Sequence, residues 1–324
     1  MLFGSHRYLL LLAVFAPVLP GAGIRGAALW TDGELVSWGD GVERHELRTG
    51  RARRVADGEF GEGGCVVELT RGRRGLVVQK GAGLGTLVWM GAPGWKPEVV
   101  DTDVETHDCL GAELHGRRGV LVVHRYGQIR FYEPPGKAGG VWPYTEIYSF
   151  YTASHQGGLL RMDVDGDGRE DILCGDYWIW NPERFELGWR LFAMHTWFEE
   201  PESALVRIAA AGRAVVEAQA HSSPARLAWF EPPADVRQQW TQRRMGEELG
   251  LRRLHGLDTA GGDVIVGEDA GPGSRLIRFH NRGGGTFEPE VLGETGGVVY
   301  LKVLGSNLVT AGAEGVRVRK MINR

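Results

Sequence analysis

A glycine turn opening into an apolar run recurs along this chain at a mean spacing of about 47 residues. The copies are Gly72-Arg73-Arg74-Gly75-Leu76-Val77-Val78, Gly116-Arg117-Arg118-Gly119-Val120-Leu121-Val122, Gly168-Arg169-Glu170-Asp171-Ile172-Leu173, Gly212-Arg213-Ala214-Val215-Val216, Gly262-Asp263-Val264-Ile265-Val266 and Gly305-Ser306-Asn307-Leu308-Val309. A second landmark keeps the same phase. It is an aromatic strand end, often followed by proline, as in Trp89-Met90-Gly91-Ala92-Pro93, Phe131-Tyr132-Glu133-Pro134-Pro135 and Trp229-Phe230-Glu231-Pro232-Pro233. A third pairs an aromatic with an apolar residue five positions on: Trp95/Val100, Trp142/Ile147, Trp189/Met194, Trp240/Met245 and Phe287/Leu292.

Each unit therefore reads as four short strands. Strand a ends at the glycine turn, b is the apolar run, c ends on the aromatic, and d starts near the second aromatic. Fifty glycines and eleven tryptophans suit many short strands joined by tight turns. Radial repetition of four-stranded sheets is a β-propeller, so the expected fold is all-β. Seven blades are expected, with six as the alternative, and residues 24–60 and 297–324 read as incomplete terminal units. The run Asp235 to Leu251 has charge spacing that a helix could use. Trp240 and Met245 fall on the third landmark, and Gly246 and Gly250 weaken a helix, so strand is expected.

The first 23 residues carry Arg7, the apolar run Tyr8 to Leu19, and Pro20-Gly21-Ala22-Gly23. This order is that of a secretory signal peptide, and the apolar run is too short to span a bilayer. The propeller is then one domain over 24–324, secreted or otherwise extracytoplasmic. Formal net charge is −4 with no basic tail, and loss of Arg7 makes it −5, so nothing points to nucleic acid. Cys65, Cys109 and Cys174 are too few for a disulfide framework. Each sits in an alternating apolar run, so buried thiols are expected, with a pair across neighbouring blades as the alternative.

One glycine turn is unlike the others. Asp163-Val164-Asp165-Gly166-Asp167-Gly168-Arg169-Glu170-Asp171 places carboxylates at positions 1, 3, 5 and 9, with the Arg169 carbonyl at position 7. Oxygen ligands and dense negative charge favour Ca²⁺ over a transition metal. Position 12 is Cys174 rather than Glu, and a strand follows, so this is not an EF-hand. The pattern D-x-D-G-D-G-x-x-D before a strand resembles the FG-GAP/VCBS repeat of integrin-like propellers. That resemblance implies one calcium held by Asp163, Asp165, Asp167, Arg169 and Asp171, acting as a structural staple. The matching loops of the two preceding units carry Arg73-Arg74 and Arg117-Arg118 instead, and a guanidinium cannot ligate a cation.

In propellers the b–c loops and d–a crossings share one face, around the mouth of the central channel. His107, His155 and His255 fall on the crossings and are the candidate catalytic histidines. Tyr126, Asp176, Tyr177, Trp178, Arg253 and Glu268 fall near the same rim and are the candidate ligand-binding residues, with the aromatics suited to stacking on sugar. The expected function is a non-catalytic binding or adhesion module for a glycan or an extracellular protein. The alternative is a carbohydrate lyase or dehydratase using the histidines, an analogy from families that share the propeller. There is no G-x-S-x-G, no H-E-x-x-H and no phosphate-binding glycine loop.

Overall fold

The structure is a computed structural model that describes residues 23–70, 72–136, 139–150, 157–195 and 206–321. The expected leader and His155 lie outside the described residues. Seven antiparallel sheets follow one another along the chain. The blades span 24–57, 60–104, 106–149, 159–193, 206–244, 254–295 and 298–320. The first six have four strands in the order a-b-c-d, and the seventh has three among the described residues. The N-terminal unit, expected to be partial, is a complete blade. Its four strands are Ile24–Thr31, Glu34–Gly39, Gly41–Glu46 and Ala52–Asp57. The recurring glycines Gly72, Gly116, Gly168, Gly212, Gly262 and Gly305 all sit at positive φ in the a–b turns, where a side chain would be strained.

The b strands explain how blades stack. Val120, Leu121, Val122 and Val123 are all fully buried because this sheet is covered on both faces. Alternation still sorts them. Val120 and Val122 pack with Val77 and Trp89 of the second blade. Leu121 and Val123 pack with Ile172 and Ile179 of the fourth. The same sorting gives one hydrophobic cluster per seam around the ring. The last seam, between the seventh blade and the first, is the smallest: Val309 and Ala311 meet Ala27 and Leu35. Among the described residues no strand is shared across it.

A buried polar bridge crosses the seam between blades 2 and 3. Tyr132 donates its O–H to Asp101 at 2.6 Å, so its oxygen is left to accept from His124 Nε2 at 2.8 Å. His124 Nδ1 then accepts from the Thr106 hydroxyl at 3.2 Å. This fixes a neutral imidazole with both nitrogens satisfied.

Two expectations change. Cys65 and Cys109, on the first strands of neighbouring blades, form a disulfide, while Cys174 is a buried free thiol. In 235–251 only Thr241–Arg244 is strand. It is followed by a one-turn 3-10 segment, Glu247–Leu249, bracketed by Gly246 and Gly250 in the left-handed region. The two glycines are what admit that turn.

Candidate functional site

The fourth blade's a–b turn brings three of its acids together. Asp163 Oδ1 accepts the N–H groups of Gly166 and Asp167 at 2.8 and 3.1 Å, and its Oδ2 accepts that of Gly168 at 3.0 Å. Asp167 Oδ1 accepts from the Arg169 N–H at 2.8 Å. These bonds fold the turn inward, and one oxygen each of Asp163, Asp165 and Asp167 lie within 4.8 Å of one another. The Arg169 guanidinium pairs with Asp167 on the outside. An all-oxygen set of this kind fits a hard divalent cation.

Asp171 is not part of that convergence. It opens strand b, is 1% exposed, and accepts N–H groups from Val164 at 3.0 Å and Asn181 at 2.8 Å. Burial pushes its carboxyl up to about 7, against those two hydrogen bonds, with Asp165 and Asp167 adding to the rise. The residue expected as a fourth carboxylate ligand thus ties the turn to strand c.

The opposite face holds the channel mouth. The seven first strands surround a cavity of about 520 Å³. Arg25, Glu62, Asp108, Arg207 and His255 line it near the starts of those strands. Glu62, His221 and His255 each direct one donor atom into a group within 4.8 Å. They come from the second, fifth and sixth blades. His221 Nε2 is 3.3 Å from Glu62 Oε2, and the rings of His221 and His255 are 5.2 Å apart. The hydrogen bond from His221 holds Glu62 down to about 2, and the charge of Arg207 helps. Burial, then Arg207, pushes His255 down to about 3. At neutral pH Glu62 is therefore the charged member and His255 the neutral one. Arg253 shapes the rim through its backbone: its carbonyl accepts from His255 and Asp269, its N–H donates to Ser222, and it takes φ 41° to do so.

A second cluster lies in the seam between blades 4 and 5. His195 Nε2 is 2.7 Å from Glu217 Oε2 and 3.3 Å from Asp176 Oδ1. The His195 ring stacks on Phe230 at 4.0 Å. Burial pushes Asp176 up to about 7 and Glu217 well above the usual carboxylate range, and pushes His195 down to about 4.

The remaining expected residues divide. Tyr126 is 42% exposed on the blade 3 b–c turn, with the Arg125 guanidinium over its ring at 4.9 Å. Tyr177 is half-buried and packs on Phe150. Trp178 is fully buried in the seam between blades 4 and 5, stacked on Phe192, so it is core and not a stacking platform. Glu268 is also fully buried. It accepts five hydrogen bonds from Arg252 and Arg275, which ties the crossing into blade 6 to the strand Ser274–Asn281, and it is not a rim ligand. His107 is buried 3.8 Å from Glu105 and is not in the His221–His255 group. Sequence reading missed Glu62, Arg207, His195 and Glu217. Glu217 did carry a signal, as a lone acid within Ala214-Val215-Val216-Glu217-Ala218. Among the described residues no helix is long and apolar enough to cross a membrane.

No family model matches this chain. No curated protein matches it either. Solved structures do. YCF48 from Cyanidioschyzon merolae superposes with TM-score 0.58 at 14% identity, over 94% of this chain and 97% of that one. The WD40 β-propeller domain of Doa1 gives TM-score 0.58 at 11% identity, over 97% and 98%. U3-55K gives 0.57 at 11%, over 94% and 98%. At such identities the likeness is one of fold, and the chain is a seven-bladed β-propeller.

Proposed function

We propose that this chain is an exported, calcium-stapled propeller that binds a glycan or protein partner at its channel mouth without catalysing a reaction. The observation that carries the reading is the convergence at the mouth. Three blades send Glu62, Arg207, His221, Arg253 and His255 to one polar rim on a rigid frame, with Tyr126 exposed on the same face. The Cys65–Cys109 disulfide suits an oxidising compartment and supports export. The turn at 163–171, with its resemblance to FG-GAP/VCBS loops, supports calcium on the far face, where the ion holds the turn and touches no ligand. The lyase alternative drew on His107, His155 and His255 acting together. His107 belongs to a separate pair with Glu105, which favours binding over turnover.

Two experiments test this. Calorimetry with Ca²⁺ should find one site, and Asp165→Asn should remove it; no heat from the unaltered chain refutes the staple. Affinity electrophoresis against a polysaccharide panel should show retardation that Tyr126→Ala or Glu62→Gln weakens about tenfold or more. Release of reducing ends or unsaturated sugar by the chain refutes the non-catalytic reading.

A further inference from the structure

Glu217 sits in the central strand Ala214–Gln219, between Val216 and Ala218, with none of its side chain exposed. Among the described residues no arginine or lysine pairs with it or with Asp176. Glu217 Oε1 and Asp176 Oδ1 are both buried, and among the described residues the hydrogen bond open to them is one between the two carboxyls, which needs a proton held on one of them. Burying two ionised carboxylates side by side without a counter-charge is costly, so without a cation the pair keeps a proton. His195 does not solve this. If its Nε2 carries the proton, that proton goes to Glu217 Oε2 at 2.7 Å with Asp176 Oδ1 farther off at 3.3 Å, and burial favours the neutral ring, which brings no full positive charge to the pair. A divalent cation would displace that proton to solvent, take one oxygen from each carboxylate and the lone pair of a neutral imidazole, and balance the two negative charges left behind.

We propose that Asp176, His195 and Glu217 bind one divalent first-row transition ion, Zn²⁺ foremost, that clips the fourth blade to the fifth. One donor atom from each of the three lies within 4.8 Å of the others. Asp176 is on the blade 4 b–c loop, His195 follows that blade's last strand Arg190–Ala193, and Glu217 belongs to blade 5. The imidazole is what separates this site from the turn at 163–171: nitrogen with carboxylate oxygen suits zinc, whereas an all-oxygen set suits calcium. Phe230, stacked at 8° on the His195 ring, holds the imidazole plane in place. Asp176 is the partly exposed member, with 18% of its side chain reaching solvent, which gives the ion a way in from the b–c face. Three protein ligands leave one position of a tetrahedral ion to solvent.

The test uses the full chain, stripped with a chelator, then titrated separately with Zn²⁺ and with Co²⁺. One equivalent should bind, Co²⁺ should develop a visible d–d spectrum, and Zn²⁺ should raise the melting temperature where Ca²⁺ at the same concentration does not raise it through this site. Glu217→Gln keeps the shape and removes the charge, and should weaken binding by about a hundredfold or more, since even second-shell changes cost 10–100-fold. Asp176→Asn, at the wetter edge of the site, should do the same, and it covers the case in which the buried variant fails to fold. Asp165→Asn should leave Zn²⁺ uptake intact. Absence of a bound equivalent in the unaltered chain overturns the assignment. So does an equivalent that survives Glu217→Gln and Asp176→Asn but is lost in His221→Ala, because it would belong to the channel mouth.

Discussion

Lowering the pH from 7 to 5 should destabilise this propeller through His124, by an amount the bridge around it sets. Its ring donates to Tyr132 and accepts from Thr106, while Arg130 and His107 stand close enough to oppose a positive charge. Burial, with those two charges, pushes His124 down to about 3. In the unfolded chain an ordinary histidine titrates near 6.5. Between those values the unfolded state binds the proton and the folded state does not, so stability falls as pH falls. The contribution is complete above pH ~6.5 and is lost progressively towards the folded value. By pH 5 the loss amounts to about 2 kcal/mol for this one group. His124→Gln keeps a neutral donor and acceptor but removes the titration. Urea unfolding of both chains at pH 7 and pH 5 gives a difference of differences in which the other titrating groups cancel. The pH-dependent loss should be about 2 kcal/mol smaller in the variant. Equal losses in the two chains would refute the reasoning.

Two further outcomes follow from burial. Trp178→Ala should cost about 3–5 kcal/mol in chemical denaturation, because it empties the seam between blades 4 and 5, and a cost below about 1 would return Trp178 to the surface. Glu268→Ala should cost about 2–3 kcal/mol, less than a fully enclosed pair because Arg252 and Arg275 reach solvent. Burial alone would raise the Glu268 carboxyl, but the Arg275 and Arg252 hydrogen bonds outweigh it and hold it low. Its share of stability is therefore present above the usual carboxylate range and lost as acid is added, and a Glu268→Ala chain should show a flatter stability profile there.

The architecture was legible because the repeat is written in backbone chemistry. A turn that needs positive φ needs glycine, and six glycines in phase leave few alternatives. Continuous apolar b strands were legible for the same reason: a sheet covered on both faces has no polar side. That fact also explains the error at Trp178. Along Tyr177-Trp178-Ile179-Trp180 both directions point into a neighbouring blade, so an aromatic there is seam filling even when its loop neighbours face the rim. The rim itself was only partly legible. Glu62 and His221 touch across 159 positions of sequence, and no local pattern reports such a meeting. Asp171 stands apart from Asp163, Asp165 and Asp167 because spacing says which carboxylates can reach an ion, not which of them accept the backbone N–H groups of Val164 and Asn181.

Every seam but one is crossed by the chain itself. Where the seventh blade meets the first, Val309 and Ala311 pack against Ala27 and Leu35, and Tyr300 is hydrogen-bonded to the backbone of Leu29. A load applied at Ile24 and Lys320 would be carried at that seam first, since among the described residues no covalent link and no shared hydrogen-bonded ladder spans it. Under tension the ring should part there like a clasp, opening into an arc of otherwise intact blades before any single blade comes undone. A joint of this kind also leaves each blade a contiguous cassette, so one can be duplicated or excised without cutting a sheet in two.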